Sequence, residues 1–212
     1  HGLHKPIAFE DALDQLYGSV LSFSVLVDEV LPSRARALVA SELDARGATG
    51  ELVWMGVSRL GKSDGKVVLA PRDEAALYLP SADEDDDDDV DEERFLSKGL
   101  LDENALKPLA AMLLQLLKDR GAMFFFELKA HLSDGENADK LAETLGAPVA
   151  DDDVEEALWE LVWQGFITND TFAPLRALRG QARASVRRRR GSPASNGRWS
   201  LTRPLRTGAD LT

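Results

Sequence analysis

The sequence predicts an α+β fold in which a small mixed, β-rich unit is followed by a winged helix-turn-helix. Two observations carry this prediction. Runs of β-branched and aromatic residues, separated by turn-forming residues, fill the first eighty positions and are typical of short strands. From residue 100 the apolar residues recur at helical spacing, and two short strand-like runs follow the last helical stretch.

The first unit, residues 1–80, is predicted to be dominated by strands. Its predicted elements are a helix over 9–17, an extended segment over 20–31, a short helix over 41–46, a hairpin formed by 51–57 and 66–71, and a strand over 75–80. The extended segment is inferred from its β-branched residues and from Pro32, which follows it. The hairpin is inferred from Ser63, Asp64 and Gly65, which form a turn cluster between two β-favouring runs.

An acidic run follows the first unit. Positions 83–93 are all Asp or Glu except Val90. Such a run buries too little apolar surface to offset the entropy lost on ordering, so residues 81–99 are predicted to be a disordered linker. A solvated charge run is favoured over a metal site, because calcium loops need turn residues at set positions.

The winged helix is predicted over residues 100–202. Leu109, Leu113 and Leu117 belong to the apolar stripe of its first helix, which Gly121 is placed to end. The remaining predicted elements are a helix over 125–132, a link with a helical turn at 138–145, a third helix from 151 to 165, and strands over 166–168 and 197–201. Residues 177–197 are predicted to be a flexible wing, and 203–212 a tail.

Composition excludes several classes of site and divides the charge unevenly. The chain has no Cys and only three His, which removes disulfides, thiolate catalysis and Cys-based zinc sites, and no metal site is predicted. No apolar run approaches the roughly 20 residues that span a bilayer, so we expect a cytoplasmic protein without a membrane partner.

Residues 1–170 hold 15 Lys and Arg against 36 Asp and Glu, whereas residues 171–212 hold ten Arg against one acid. A nucleic acid would therefore be attracted to the C-terminal part.

A phosphate-binding motif occurs inside the predicted hairpin. Gly56, Gly61, Lys62 and Ser63 match the P-loop pattern G-x-x-x-x-G-K-[ST]. A P-loop needs a helix that opens at the Lys-Ser end and directs its free amides at the phosphates. The residues after Ser63 instead predict a turn and a strand. We therefore favour the hairpin over a small P-loop ATPase, and we predict no cofactor bound by these residues.

The third helix of the predicted winged helix is acidic, and the candidate nucleic-acid contacts lie elsewhere. Residues 151–164 contain six acids and no base, so we expect this helix to pack against protein or to leave nucleic acid to its wing. The candidate phosphate contacts are Arg176, Arg179, Arg183, Arg187, Arg188, Arg189, Arg190 and Arg198. The alternative is a basic linker without a fixed partner. Trp54 and Trp163 are the candidate base-stacking residues, whereas Trp159 and Trp199 are assigned to the core.

Four parts of the chain form a distinctive set: residues 11–18, 30–34 and 50–56 and, most distinctively, Glu156 to Gly165 continuing through Thr168 to Arg176. Together they resemble the large helicase-related (Lhr) proteins, in the region behind the motor. The resemblance extends over roughly residues 9–201, with the acidic run as an insertion. It implies a piece of an ATP-dependent DNA helicase involved in DNA repair, namely part of the domain C-terminal to the motor.

The resemblance also implies the partners. In the family, two RecA-like motor lobes use ATP and Mg²⁺ to move along single-stranded DNA, often unwinding RNA:DNA hybrids. Since this chain lacks the motor motifs, we expect an accessory segment that guides the strand and is not catalytic by itself. The rival hypothesis is a stand-alone winged-helix DNA-binding or protein-interaction module, which would need a basic reading helix.

Overall fold

The computed structural model describes residues 7–35, 38–78, 103–146, 148–181 and 193–202. The predicted acidic linker, the tail over 203–212 and the arginines at 183 and 187–190 lie outside these residues. Expectations about them are neither supported nor contradicted by the fold.

The first unit, residues 7–78, contains three helical segments packed on a three-stranded sheet. Its elements are α1 (Phe9–Asp14), β1 (Leu21–Ser22), α2 (residues 23–34), α3 (Val39–Thr49), β2 (Leu52–Leu60) and β3 (Asp64–Pro71), with a 3₁₀ turn over Ala75–Tyr78. The strands are antiparallel in the order β1-β3-β2. The predicted hairpin is therefore confirmed.

The prediction of an extended segment over 20–31 is wrong beyond its first residues. Strand β1 is two residues long, and a continuous helix, α2, follows as an α-helical turn over Phe23–Val25, a π-helical stretch over Leu26–Val30 and a second α-helical turn over Leu31–Arg34. The Ser22 hydroxyl accepts the Val25 amide and caps the helix. The wider π turn accommodates Pro32, whose ring would clash with a carbonyl in a regular α-helix.

The apolar residues of α2 contain the signal that the prediction missed. Phe23, Leu26 and Leu31 are buried, and their spacing is helical although their neighbours are β-branched. The predicted strand over 75–80 is also wrong, because Ala75–Tyr78 forms a 3₁₀ turn and the last two positions lie outside the described residues. A strand-dominated first unit is thus corrected to a mixed unit with three helical segments.

The second unit, residues 103–202, has its helices and strands close to the predicted positions. It contains α4 (Pro108–Arg120), β4 (Met123–Phe124), α5 (Phe125–Leu132), α6 (Gly135–Leu145), α7 (Asp151–Trp163), β5 (Ile167–Asn169), α8 (Ala173–Gln181) and β6 (Arg198–Leu201). The sheet is antiparallel in the order β4-β6-β5. Helix α8 and a 3₁₀ turn over Pro193–Ser195 occupy both ends of the segment that was predicted to be flexible.

Both units share one chain path. In each, a helix is followed by a short strand, further helices and two strands, and the short strand pairs with the last strand rather than with the middle one. Helix, strand, helix, recognition helix and two wing strands, in this order, make a winged helix. The α+β class is confirmed, and the first unit has the winged-helix arrangement as well as the second.

One apolar core extends through both units. Trp54 and Phe172, which belong to different units, are each fully buried in it. A smaller cluster of Val53, Met55, Val68, Ala70 and Ala75 covers the other face of the first sheet. In the part of the chain that is described, no helix is both long and apolar enough to cross a membrane.

Candidate nucleic-acid interface

The acidic helix α7, which occupies the recognition-helix position of the second winged helix, is a packing element. Val154, Leu158, Leu161 and Val162 are buried, and the helix lies between α4 of its own unit and strand β2 of the first unit. In a DNA-reading winged helix the corresponding helix enters the major groove. Here its apolar sides are already covered by protein, in agreement with the expectation that it does not read bases.

A loop of the second unit is anchored in the first unit. The Trp54 indole nitrogen donates to the Thr171 carbonyl at 3.0 Å, and the Thr168 hydroxyl donates to the Trp54 carbonyl at 2.6 Å. The Phe172 ring, fully buried, lies 6.3 Å from the Phe23 ring and 6.1 Å from the Trp54 ring. These contacts join the two winged helices into one body.

Three glycines of the first unit allow this close approach. A Cβ atom on Gly47 would lie 2.6 Å from the Asp170 carbonyl oxygen, and one on Gly56 would lie 2.4 Å from the Val162 carbonyl oxygen. A Cβ atom on Gly65 would lie 2.2 Å from the Trp163 ring. Gly56, the first glycine of the P-loop pattern, is therefore accounted for by helix packing.

The remaining residues of that pattern form a hairpin turn. Strand β2 ends at Leu60, the turn covers residues 61–63, and strand β3 begins at Asp64. The Asp64 carboxylate accepts the backbone amides of Ser24 and Gly65 at 3.3 and 2.9 Å. No helix begins at Lys62, so these residues do not fit the phosphate-cradling geometry of a nucleotide site.

The described wing-side arginines are engaged within the protein. Arg176 makes a two-point ion pair with Asp44 across the unit boundary, at 3.1 and 2.5 Å. Arg179 makes a similar pair with Asp28 and lies 6.0 Å from the centroid of the Phe23 ring. Arg198 donates from Nε to Asp170 at 2.9 Å. The structure thus places Arg176 and Arg179 in the contact between units rather than on a phosphate-binding flap.

The two stacking candidates differ from the prediction. Trp54 is fully buried and its indole nitrogen is bonded, so the prediction that it stacks on a base is wrong. Trp163 is half-buried, with its ring stacked on that of Trp159 at 5.2 Å and its edge packed against Gly65, so protein already occupies the stacking face seen in the structure. Trp159 and Trp199 are buried, as assigned.

The wing of the first unit carries cations that the sequence analysis did not select. Arg59 and Lys62 are exposed and Lys66 is partly exposed. Within the described residues, none of the three has an ion pair, and Asp64 is the wing's sole acid. Arg59 and Lys62 lie within the P-loop pattern, and the predicted hairpin already implied that a lysine at its tip projects into solvent.

Metal-ligand side chains do not gather in groups of three or more among the described residues. His131, the one described histidine, lies on α5, where a nearby Asn137 side chain donates to its backbone carbonyl at 3.1 Å. The surface cations, rather than a metal or catalytic cluster, are thus the candidate functional groups.

Comparison with known proteins gives a consistent picture. The family model described as the winged-helix domain of the large helicase-related protein matches residues 2–72. This is the first unit, which the fold shows to be a winged helix and which the sequence analysis had assigned to a β-rich unit. The match and the chain path thus agree on the correction.

Two curated proteins are similar over nearly the whole chain. One is the Lhr helicase/uracil glycosylase of Escherichia coli K12, 33% identical over 196 residues, or 91% of this chain. The other is the Lhr helicase/probable uracil glycosylase of Mycolicibacterium smegmatis, 29% identical over 203 residues, or 94% of this chain. The chain spans 11% of the length of each relative.

Proposed function

Because this chain belongs to the Lhr family of large helicase-related proteins, we propose that it is an accessory segment that binds and guides nucleic acid for a helicase motor. The similarity to winged-helix regions of Lhr proteins supports a helicase accessory region. We further propose that the segment guides a strand and that it serves DNA repair.

The proposed partners are single-stranded DNA or an RNA:DNA hybrid, together with two motor lobes. ATP and Mg²⁺ would be used by those lobes, because the P-loop-like residues of this chain form a hairpin turn. The proposed compartment is the cytoplasm. The segment contributes binding and positioning, and the energy of translocation comes from the motor.

The observation that carries the proposal is the unpaired basic wing of the first unit. Arg59, Lys62 and Lys66 project from a protein whose formal net charge is −12 and have no ion pair among the described residues. Local cations attract phosphates even when the total charge opposes binding. The arginines at 183 and 187–190 are proposed, from the sequence alone, to add a second set of phosphate contacts.

The alternative is a stand-alone winged-helix module that reads bases with its third helix. Helix α7 is covered by protein. In α3, two acids are already paired within the protein, Asp44 with Arg176 and Glu42 with Arg46. Neither helix offers an exposed basic face. The wing is therefore the better-supported contact.

The test is binding of the 212-residue chain to a fluorescent single strand over a range of salt concentrations. Replacing Arg59, Lys62 and Lys66 with Ala is expected to weaken binding. The slope of log affinity against log salt is expected to become shallower by about 2, since each single-strand phosphate contact contributes about 0.7 to its magnitude. Replacing Arg187 to Arg190 with Ala tests the second set separately.

The matched control is Arg120→Ala, which removes an exposed cation at the end of α4. It is expected to leave the salt slope unchanged. An equal loss with Arg120→Ala would reduce the proposal to nonspecific charge. Saturable ATP binding that disappears in Lys62→Ala would instead favour the nucleotide-binding alternative.

A further inference from the structure

We propose that Phe124 and Phe126 of the second unit form a stacking platform for an unpaired base of a single strand, with the adjacent phosphate held by Arg198 and Arg72. This inference rests on the proposed function, which it extends from the first wing to a defined place on the second unit.

The two rings form an ordered aromatic surface that faces solvent. Phe124 is 38% and Phe126 67% exposed, and their rings are stacked with centroids 5.7 Å apart and planes 15° from parallel. Phe125 between them is buried and fixes the backbone in the core. The Glu127 carboxylate accepts the Phe124 amide at 2.7 Å and so caps the start of α5. The platform is therefore held in place before any ligand binds.

Large exposed aromatic side chains are unusual on a protein surface, and two in contact form a local apolar patch. A nucleobase stacks on such a ring irrespective of its identity, because every base has a π face. The platform thus has the chemistry for binding without sequence preference, which a guiding segment needs.

Cationic groups lie beside the platform. Phe124 and Arg198 are opposite each other in the β4–β6 ladder, so their side chains project from the same face of the sheet. The Arg198 side chain is half exposed and uses Nε on Asp170, which leaves other N–H groups of the guanidinium directed away from that bond. A phosphate next to a stacked base is within reach of such a cation.

A cleft between the two units lies further along β6 from Arg198. Ser200, two residues along the same strand face, lines it with Arg72 of the first unit and Lys118 of α4, and its volume is about 600 Å³. The Arg72 side chain is partly buried and has no ion pair among the described residues. Burial lowers the pKa of Arg72, while Asp170 nearby raises it and Arg198 lowers it. The Ser200 hydroxyl is buried there without a hydrogen-bond partner.

This combination favours a nucleotide over an apolar protein segment as the occupant. An apolar chain would cover the rings but would remove more water from Arg72 without giving it a partner, which is costly for a charged group. A nucleotide supplies a stacking face and an anion together. Glu51 and Asp73 also line the cleft, so the anion must be bound at short range by the guanidinium groups rather than drawn in by a uniformly positive field.

The experiment compares oligo(dT) with an abasic deoxyribose-phosphate strand of the same length, bound to the full chain. Both strands offer the same phosphates, and only one offers bases. Phe124→Ala combined with Phe126→Ala is expected to weaken oligo(dT) binding about fivefold to about a hundredfold and to leave abasic binding unchanged. The salt slope stays the same, because no phosphate contact is lost. Arg72→Gln is expected to lower the slope by about 0.7.

Two further variants keep the test sharp. Phe126→Trp retains a large ring and is expected to retain affinity, with fluorescence that oligo(dT) quenches and the abasic strand does not. Leu77→Ala is the matched control, since Leu77 is 79% exposed and belongs to the 3₁₀ turn of the first unit rather than to β4 or α5. It is expected to change neither affinity.

The outcomes separate this inference from the proposed function. If the unmodified chain binds neither strand, the proposed function itself is wrong. If it binds both strands and the phenylalanine variants behave like the unmodified chain, the stacking platform is overturned and the proposed function stands. Loss of self-association in the double variant, measured by light scattering, without loss of oligo(dT) affinity would assign the patch to a second copy of the chain and overturn the platform.

Discussion

The two winged helices have the same chain path but use the helices in the recognition-helix position, α3 and α7, differently. Helix α3 of the first unit exposes Ala40, Ser41, Ala45 and Ala48 on its outer side. Helix α7 of the second unit is covered by α4 on one side and by the first unit's wing strand β2 on the other. The shared path therefore does not determine which unit meets a ligand, because burial between the units decides which surfaces remain available.

The charges follow the same division. The acids of the α7 N-terminus stabilise the helix itself, where negative charge is favourable. Asp153 accepts the Ala150 amide at 2.8 Å, and Asp151 pairs with Lys129. The cations of the first wing have no such internal partners among the described residues. The acidic helix α7 and the basic first wing are consistent with a helix that supports the junction and a wing that contacts phosphate.

The largest expected effect comes from breaking the junction at Phe172. Phe172→Ala removes a fully buried ring that contacts Phe23 and Trp54 of the other unit, and it is expected to cost about 3 to 5 kcal/mol of unfolding free energy. Urea denaturation followed by tryptophan fluorescence measures it. Phe126→Ala, at an exposed ring, is the control and should change stability by no more than about 0.5 kcal/mol. Equal stability of the two variants would mean that the units fold independently.

The elements of the second unit were predictable because their signals were local. Helix α5 has the predicted bounds, α4 ends at the predicted stop Gly121, and α7 ends two residues before its predicted end, since apolar spacing and capping residues lie within each segment. Helix α2 was missed because its β-branched residues favour a strand locally and Pro32 appeared to end it. The core on which Phe23 and Leu31 pack, and the π turn that tolerates the proline, are tertiary features.

A smaller effect with opposite signs is expected at two helical glycines. Gly47→Ala in α3 places a Cβ atom 2.6 Å from the Asp170 backbone oxygen, so the units must separate slightly, at an expected cost of about 1 to 3 kcal/mol. Gly180→Ala in α8 meets no atom within 4 Å and is expected to stabilise the chain by about 0.5 kcal/mol, because alanine favours helix. Thermal unfolding of both variants checks the signs. Two stabilising substitutions would contradict the tight contact at Gly47.

The candidate site was less predictable than the fold because exposure and pairing are not written in local sequence. Arg176 and Arg179 belong to a basic segment, yet their carboxylate partners, Asp44 and Asp28, lie more than a hundred residues away. The side chain of Trp54 is of a type that stacks on bases, but the structure places it in the core. The distinctive block from Glu156 to Arg176 that carried the family resemblance turns out to supply much of the junction between the units.

A further small effect is expected from the coupling between Arg176 and Asp44. Both side chains are about one-third exposed, so solvent screens the pair, but its two-point geometry holds it in one arrangement. A double-mutant cycle with Arg176→Gln and Asp44→Asn is expected to give about 1 kcal/mol. The matched pair Lys107 and Glu156, with both side chains more than 60% exposed, is expected to give less than about 0.5 kcal/mol.

The Arg176→Gln variant distinguishes two roles for Arg176, in the junction between the units and in phosphate binding. If its guanidinium serves the junction, Arg176→Gln lowers stability and leaves single-strand affinity and its salt slope unchanged. If the Arg176–Asp44 coupling energy is no larger than that of the exposed pair, and the salt slope instead becomes shallower by about 0.7, then Arg176 binds a phosphate. That result would extend the phosphate-contacting surface from the first unit's wing to α8, and Arg176 could no longer be assigned to the junction alone.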